Sequence, residues 1–583
     1  MGLFKNKFNT ICSRALKLTS SNSFIYYQSI SEEEQNGSTS SLRVNTTQNN
    51  KKKNTEKHRI CYLSLLPVDI LYTIFENLSG ADLLGFTNVS DPWHDFLVDW
   101  PRFWQKITMY YPDIKQSTLD ILIHRRCSSP RQVCLESPVN HSLLCSLILL
   151  LIQSPNRHII KKLSFQNIRI IPRENGGAPH LLGYAISNMN SIEYIEFNNC
   201  SFTKHSELKT VLQSCSNITS ISFDYPSDKI IPNPNIYPVY LPAKQDLPKA
   251  GLPYLTYLKL AAPADFQIDG GRSLPGVFSQ CPNLRHLFLD TFMLTHNGSR
   301  IIDEVLTFCP YILNFVVSDN AQVPMTFTTA YNNNDNDDDD ENGWVTFYDN
   351  SSSNKSENTT QGLRRLILCS KKIKLGENAH GDVLFKYIHS SLELLYLHCQ
   401  LKGSSCHQAY YELTDLAWPK LREINLSLQI NSGNHISHER TTMVRLANLF
   451  FRCPALQVIT IDSFNVTGSH RLRVDDMVLK RIAENCPLIY RLHILGEKFH
   501  SEDAILYFAK TLGQHEYNNL TDLEIDMARK PLLEVIGNLK SLKQLYLRND
   551  TVTYIDPTIS TFYMQVEIAR QLLRERGGSL IIK

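Results

Sequence analysis

The chain has no long hydrophobic run, no CxxC pair, no glycine-rich phosphate loop and no strong excess of either charge. Its longest greasy stretch, Leu143 to Ile152, is about ten residues and contains Cys145 and Ser146. A membrane span needs roughly twenty apolar residues, so this stretch reads as a buried helix and no membrane partner is expected. Lys and Arg total 59 against 57 for Asp and Glu, a formal net charge of +2. A nucleic-acid binder wants a strongly basic stripe, so no nucleic-acid partner is expected either. The 14 cysteines are scattered. Several recur at one place in a repeat, which suits small buried residues in a reducing compartment.

No secretory signal is expected, and the Asn-x-Ser/Thr sequons, one of them at Asn88, then read as chance matches in an Asn- and Ser-rich chain. Met1-Gly2 is followed by Asn6, where a myristoylation signal wants Ser or Thr. The first 31 residues lack any acid and carry Lys5, Lys7, Arg14 and Lys17. That suits a disordered basic tail and also a mitochondrial transit peptide. Lys51-Lys52-Lys53 with Lys57 and Arg59 fits a nuclear signal or a solvated linker. A cytoplasmic and/or nuclear location is expected.

What is present is concentrated at 65–107. Pro67 suits the first turn of a helix, where a missing N–H costs nothing. Ile70, Leu71, Ile74, Phe75 and Leu78 then recur at helical spacing, and Ser79-Gly80 ends the helix. A second short helix carries Leu83, Leu84 and Phe86; a third segment carries Val89, Trp93, Phe96 and Leu97. About forty residues cannot enclose so many large apolar groups alone, so part of that surface is expected to be buried by a partner. The competing reading is a small helical cap packed against the rest of the chain.

The order Leu66-Pro67, Ile70-Leu71-Ile74-Phe75-Leu78, Asp82-Leu83-Leu84, Val89-Ser90, Trp93 and Trp104 resembles the F-box. One departure is Asp91-Pro92 before Trp93, where the family usually has a basic or polar residue. Pro92 disfavours an α conformation at Asp91, so the third helix is expected to start at Pro92. The resemblance implies docking on the small adaptor of an SCF (cullin–RING) ubiquitin ligase. The implied adaptor-binding residues are Leu66, Pro67, Ile70, Leu71, Ile74, Phe75, Leu78, Leu83, Leu84, Val89, Trp93 and Trp104.

From about residue 160 the pattern L-x-x-L-x-L keeps returning. Ile160-x-x-Leu163-x-Phe165 opens it, and Ile192-x-x-Ile195-x-Phe197, Leu284-x-x-Leu287-x-Leu289 and Leu421-x-x-Ile424-x-Leu426 are typical. Leu542-x-x-Leu545-x-Leu547 is the last. Starts commonly lie about 26 to 35 residues apart, a solenoid period. The last two apolar positions share one face of a short strand. Amphipathic helices ending in Cys-Pro precede many strands, at Cys309-Pro310, Cys453-Pro454 and Cys486-Pro487; Cys281-Pro282 stands in the same place. Proline stops the helix. The unit resembles the cysteine-containing leucine-rich repeat that often follows an F-box, and Cys200 and Cys399 sit near that family's buried turn position. A generic α/β domain is the competing fold.

The expected fold class is therefore an α/β solenoid: a short helical F-box followed by a curved leucine-rich-repeat array with an inner parallel sheet and outer helices. The expected domains are a disordered tail over 1–60, an F-box-like domain over 61–107, the array over 108–555, and a C-terminal helix and tail over 556–583. The array carries a Pro-rich insertion over 226–253, which cannot hold a helix, and an Asn/Asp/Ser-rich insertion over 331–360, expected to be disordered.

Strand alternation selects the residues of the exposed face. Expected substrate-binding residues are Tyr194, Tyr257, His286, Phe288, Tyr396, His398, Arg491 and Tyr546. Aromatic residues and Arg are the usual anchors of protein interfaces. Ordinary solvated strand positions are the alternative for each of them. Asp522, Glu524 and Asp526 form an acidic unit that suggests a basic element in the partner.

No catalytic constellation emerges. Asp338-x-Asp340-x-Asn342-Gly343 with Asp349 resembles part of a calcium loop but lacks helical flanks and a final Glu. His435-x-x-His438 has no third ligand evident. Cys12 and Cys61 have no local His or basic pocket. No cofactor, metal or enzyme activity is expected. The resemblance implies a substrate-recognition subunit of an SCF-type ligase. Its partners would be the adaptor and, through it, cullin and RING proteins, together with an unknown protein substrate. The alternatives are a leucine-rich-repeat scaffold acting outside a ligase and, if the N-terminus is a presequence, a mitochondrial assembly factor of F-box type.

Overall fold

In a computed structural model, residues 66–76, 106–110 and 132–136, single residues such as Leu78, Phe86, Val89 and Leu97, and much of 153–582 are described. The longer stretches outside that description are 1–65, 111–131, 137–152, 171–187, 225–250, 262–276, 319–361, 432–444, 463–473 and 548–558. The chain divides into two compact units, Met1–Pro130 and Arg131–Lys583.

In the first unit, helix α1 (Val68–Glu76) starts directly after Pro67. The Pro67 carbonyl accepts the N–H groups of Ile70 and Leu71, each at 3.1 Å, as expected of proline just ahead of a helix. Leu71, Ile74 and Phe75 are buried. Phe75 meets Phe86 edge-to-face, with ring centroids 5.4 Å apart. The unit also holds strand β1 (Lys106–Tyr110).

The second unit is an α/β solenoid. Its strands are β2 (Gln132–Glu136), β3 (Lys162–Gln166), β4 (Arg169–Ile170), β5 (Tyr194–Asn198), β6 (Ser201–Phe202), β7 (Ser220–Asp224), β8 (Tyr257–Leu260) and β9 (His286–Asp290). There follow β10 (Asn314–Ser318), β11 (Arg365–Leu375), β12 (Leu394–Lys402), β13 (Glu423–Asn431), β14 (Val458–Asp462), β15 (Arg491–Leu495), β16 (Asp522–Ile525), β17 (Gln544–Leu547) and β18 (Ser579–Ile582). All but β1, β4 and β6 form a fifteen-stranded parallel sheet within this unit. Each strand pairs with the next in sequence, and β4 and β6 pair separately. Its helices include α2 (Gly381–Ile388), α3 (Cys406–Asp415), α4 (Asp476–Asn485), α5 (Glu502–Gln514), α6 (Leu532–Asn538) and α7 (Ile559–Glu575). Neighbouring helices pack on one another: α2 on α3, and α4 through α7 in succession.

One backbone device repeats at the start of the strands. A single carbonyl accepts two successive N–H groups from the next unit: Lys161 O from Glu193 and Tyr194, Thr256 O from Arg285 and His286, Tyr490 O from Thr521 and Asp522. A parallel strand needs its neighbour placed in register before the ladder can run, and this pair of bonds sets it. The apolar pair of each unit faces the core: Leu287 and Leu289, Leu395 and Leu397, and Leu492 and Ile494 are fully buried. Phe165, Phe197 and Phe223 stack through successive units with centroids 5.2 and 5.1 Å apart.

The recurring cysteines form a second ladder. Cys309 Sγ donates to Cys281 O at 3.4 Å, and Cys486 Sγ approaches Phe450 O at 3.8 Å. Cys200 Sγ donates to Phe165 O at 3.2 Å. A thiol is small enough for the crowded turn and still offers a weak donor to a buried carbonyl. Burial pushes the Cys309, Cys399 and Cys486 thiols up to about 12.

Three boundaries differ from the sequence pattern. The array does not stop at 555, because β18 pairs with β17 in register and ends at Ile582. Before Cys281 stands a 3-10 turn, Phe278–Gln280, rather than an α-helix. The end of the 226–253 segment packs: Leu252 is buried, and its N–H donates to Gln280 O at 2.7 Å. The tail over 1–60 and the insertion over 331–360 lie outside the described residues.

Candidate protein-interaction surface

Because side chains alternate across a strand, the residue between the two core positions of each unit faces the opposite side of the sheet. The register sets these residues in one row: Ser164, Glu196, Ser222, Lys259 and Phe288, then Val316, Ile367, Tyr396, Asn425, Thr460, His493, Glu524 and Tyr546. The row falls into chemical bands.

The first band is polar and internally paired. Glu196 accepts from Ser164 Oγ at 2.9 Å and lies 3.0 Å from Lys162 Nζ. Burial alone would raise its pKa; the Lys162 charge and the bonds from Lys162, Ser164 and Asn198 outweigh it and lower the carboxyl. Lys259 Nζ meets Asp224 Oδ2 at 2.5 Å, with both side chains largely out of solvent. Tyr194 borders this band, in register with Lys162 and Ser220.

The middle band is apolar. Ala261, Phe288, Val316 and Ile367 pack as a buried cluster flanked by Tyr257, Cys369, Leu394 and Tyr396. Tyr257 lies 5.3 Å from the Phe288 ring and 6.4 Å from the His286 ring. His286 Nδ1 is 2.7 Å from Asn314 Nδ2. Burial, with help from Cys369, pushes the Tyr396 hydroxyl up to about 12. His398, on the same strand as Tyr396, faces Cys369 at 4.0 Å.

The last band is charged. Asp522 is held by Arg491 Nε at 2.9 Å and His493 Nε2 at 3.0 Å, while His493 Nδ1 lies 3.6 Å from Glu524. Burial opposes ionisation of Asp522; the His493 hydrogen bond and charge, with Arg491, prevail and lower its pKa. Tyr546 packs edge-on against His493, with centroids 5.4 Å apart.

Tyr257, His286, Phe288, Tyr396 and His398 thus share or border the middle band, and Arg491 and Tyr546 share the last. Phe288 departs from expectation. It lies on the predicted face but is 4% exposed, because Val316 and Ile367 on the following strands and Tyr257 beside it close over the ring. It supports the band rather than offering contact area. Val316 and Ile367 are the residues that alternation alone misses. Their signal is an unbroken apolar triplet, Phe315-Val316-Val317 and Leu366-Ile367-Leu368, shared with Leu287-Phe288-Leu289, where most units place a polar residue between the two core positions.

In the first unit, Pro67 is exposed and Leu66, Ile70 and Leu78 are half-buried. Val89 is 64% exposed. Leu71, Ile74 and Phe75 were expected on the docking surface but are buried in the structure, because the single apolar face of α1 turns them inward with Phe86. Leu83, Leu84, Trp93 and Trp104 lie outside the described residues, as do Asp526, the Asp338–Asp349 motif, His435, His438, Cys12 and Cys61. Among the described residues no group of three or more His, Cys, Asp or Glu could hold a metal ion, and no helix is long and apolar enough to cross a membrane.

No protein-family model matches the chain, and no curated protein does. Among solved structures the chain is similar to the Rad7 and Elc1 complex of yeast, at 15% identity over 74% of this chain and 88% of that chain, with a TM-score of 0.32. It is also similar to the TLR13–ssRNA13 complex, at 12% identity over 83% of this chain and 55% of that chain, with a TM-score of 0.37. The mouse RP105/MD-1 complex matches at 11% identity over 71% of this chain and 53% of that chain, with a TM-score of 0.33. At these scores no likeness bears on function.

Proposed function

We propose that this chain is the substrate-recognition subunit of an SCF-type ubiquitin ligase, working in the cytoplasm or nucleus. The first unit would dock on the adaptor and, through it, on cullin and RING proteins. The inner face of the solenoid would hold a protein substrate. The chain would contribute proximity rather than bond chemistry, an entropic effect. The observation that carries the interaction role is the banded row, in which half-buried Tyr257 and Tyr396 flank an apolar centre between two charged ends. Extended surfaces of this kind are what solenoids use to bind partners. The F-box order of residues 66–104 supports the ligase role.

The burial of Leu71, Ile74 and Phe75 favours a second reading, an interaction scaffold outside any ligase whose first unit is a self-packed helical cap. In the ligase reading, docking falls to Leu66, Pro67, Ile70, Leu78 and Val89 among the described residues, together with Leu83, Leu84, Trp93 and Trp104. Affinity purification of the full chain with mass spectrometry separates the two. Adaptor and cullin peptides are expected; their absence alongside other stable partners favours the scaffold.

A further inference from the structure

One carboxylate on the inner face, that of Glu423, has no hydrogen bond and no ion pair among the described residues. Alternation puts Glu423 and Asn425 of β13 on that face, because Ile424 and Leu426 fill the core. The register sets Glu423 abreast of Leu394 on β12 and Val458 on β14, and Asn425 abreast of Tyr396 and Thr460. Leu394 and Tyr396 are half-buried members of the apolar band, and Val458 is buried. A half-buried carboxylate therefore sits between two aliphatic neighbours, with Tyr396 diagonal to it. Glu196, Asp224 and Asp522 on the same face are each held by a cation: Lys162, Lys259 and Arg491. For Glu423 the nearest cations of its row, Arg365 and Arg491, are each two strands away, roughly 10 Å at ordinary strand spacing. Their attraction does not offset burial, which raises the Glu423 carboxyl. An ionised group drawn out of water needs a charge or a hydrogen bond to compensate, and the fold supplies neither here.

We infer that Glu423 receives a lysine or arginine side chain of the protein partner, its aliphatic stem lying on Leu394 and Tyr396 and its cationic head at the carboxylate. This rests on the inner face being the binding surface proposed above. Long cationic side chains bury their stems on apolar surface while the head stays at a polar group. A hydrogen bond between two ionised groups is the stronger kind. The basic element of the partner thus belongs at Glu423 and not at Asp522 and Glu524, which Arg491 and His493 already meet.

The test uses the full chain, its Glu423→Gln variant and a library of random decapeptides on beads. Peptides retained by the native chain are expected to carry Lys or Arg at a fixed spacing from a large apolar residue. In a retained peptide made singly, replacing that Lys or Arg with Gln should weaken binding about tenfold, the size of one hydrogen bond to a charged group. The same replacement should matter little to the Glu423→Gln chain, because the two changes remove one shared contact. Glu423→Gln should leave the melting temperature unchanged or raised, since the fold does not use this charge. Retained peptides without a basic residue, or an equal loss in both chains, overturn the inference; so does a lowered melting temperature in Glu423→Gln. If peptides without a basic residue still lose affinity for a Tyr257→Ser/Tyr396→Ser chain, the inference falls and the inner face stands as the binding surface. No retained peptide at all overturns both.

Discussion

The carbonyl oxygen of Leu313 accepts the backbone N–H of Arg364 at 2.9 Å, and that of Arg365 at 3.0 Å. The same pair of hydrogen bonds joins neighbouring units elsewhere, so β10 and β11 are adjacent layers although the 331–360 insertion lies between them in sequence. Deleting residues 331–360 should therefore leave the array intact. Changing the length of a flexible loop alters closure entropy by only about 0.6 kcal/mol per doubling. The expected result is an unchanged circular dichroism spectrum and a melting temperature within a few degrees of the full chain. A large drop would show that the segment packs.

The thiol ladder predicts an alkaline limit to stability. Burial holds Cys309, Cys399 and Cys486 protonated in the folded state up to about 12, against about 8.5 when unfolded. Their contribution is fully present below the unfolded value and is lost as pH rises towards the folded one. Each thiol then withdraws about 1.4 kcal/mol per pH unit. Urea unfolding at pH 8, 9 and 10 should show falling stability, and Cys309→Ala should flatten the slope while costing about 1 kcal/mol at pH 7.

The opposite sign holds at Asp522. Its pKa is lowered in the fold by His493 and Arg491, so its contribution is present above about 3.9 and is lost as pH falls through the folded value. Asp522→Asn should cost about 1–3 kcal/mol at pH 7. The two stability curves should converge in acid. A constant gap between them would contradict the assignment.

Within the middle band, Phe288 and Tyr396 should behave differently. Phe288→Ala removes a buried ring and should cost about 3 kcal/mol of stability. Tyr257→Ser with Tyr396→Ser should instead weaken capture of the protein partner, with a smaller effect on unfolding. A pull-down alongside urea titration separates the effects; equal loss of both in the two variants would argue against a binding role.

The strands were legible because two core positions per unit face a crowded interior and tolerate only large apolar residues. Where another force acts at the first position of the pattern, the pattern fails. Pro130 precedes Val133 and Leu135, so β2 has no apolar first position. Before Leu580 and Ile582 stands Gly577, which ends α7 in a left-handed conformation at φ +73°. Gly577 N–H donates to Arg574 O and Gly578 N–H to Leu573 O, a Schellman stop. A Cβ at Gly578 would meet Lys543 O at 1.9 Å. The turn needs glycine where the repeat would have leucine, and β18 is hidden from pattern reading. The exposed row was legible from alternation, but not which of its members are covered. Burial of Phe288, and of Ile74 on α1, depends on neighbours that only the fold brings together.

The most direct test of the proposed role is calorimetric titration of the full chain with the SCF adaptor, using the native sequence and a Leu66→Asp/Leu78→Asp variant. Both residues are half-buried, and each large apolar side chain covered by a partner contributes roughly 1.5–3 kcal/mol. Binding of the native chain is expected, with at least tenfold weaker binding of the variant at an unchanged melting temperature. No heat from the native chain, or equal affinity in the folded variant, would contradict docking through residues 66–104.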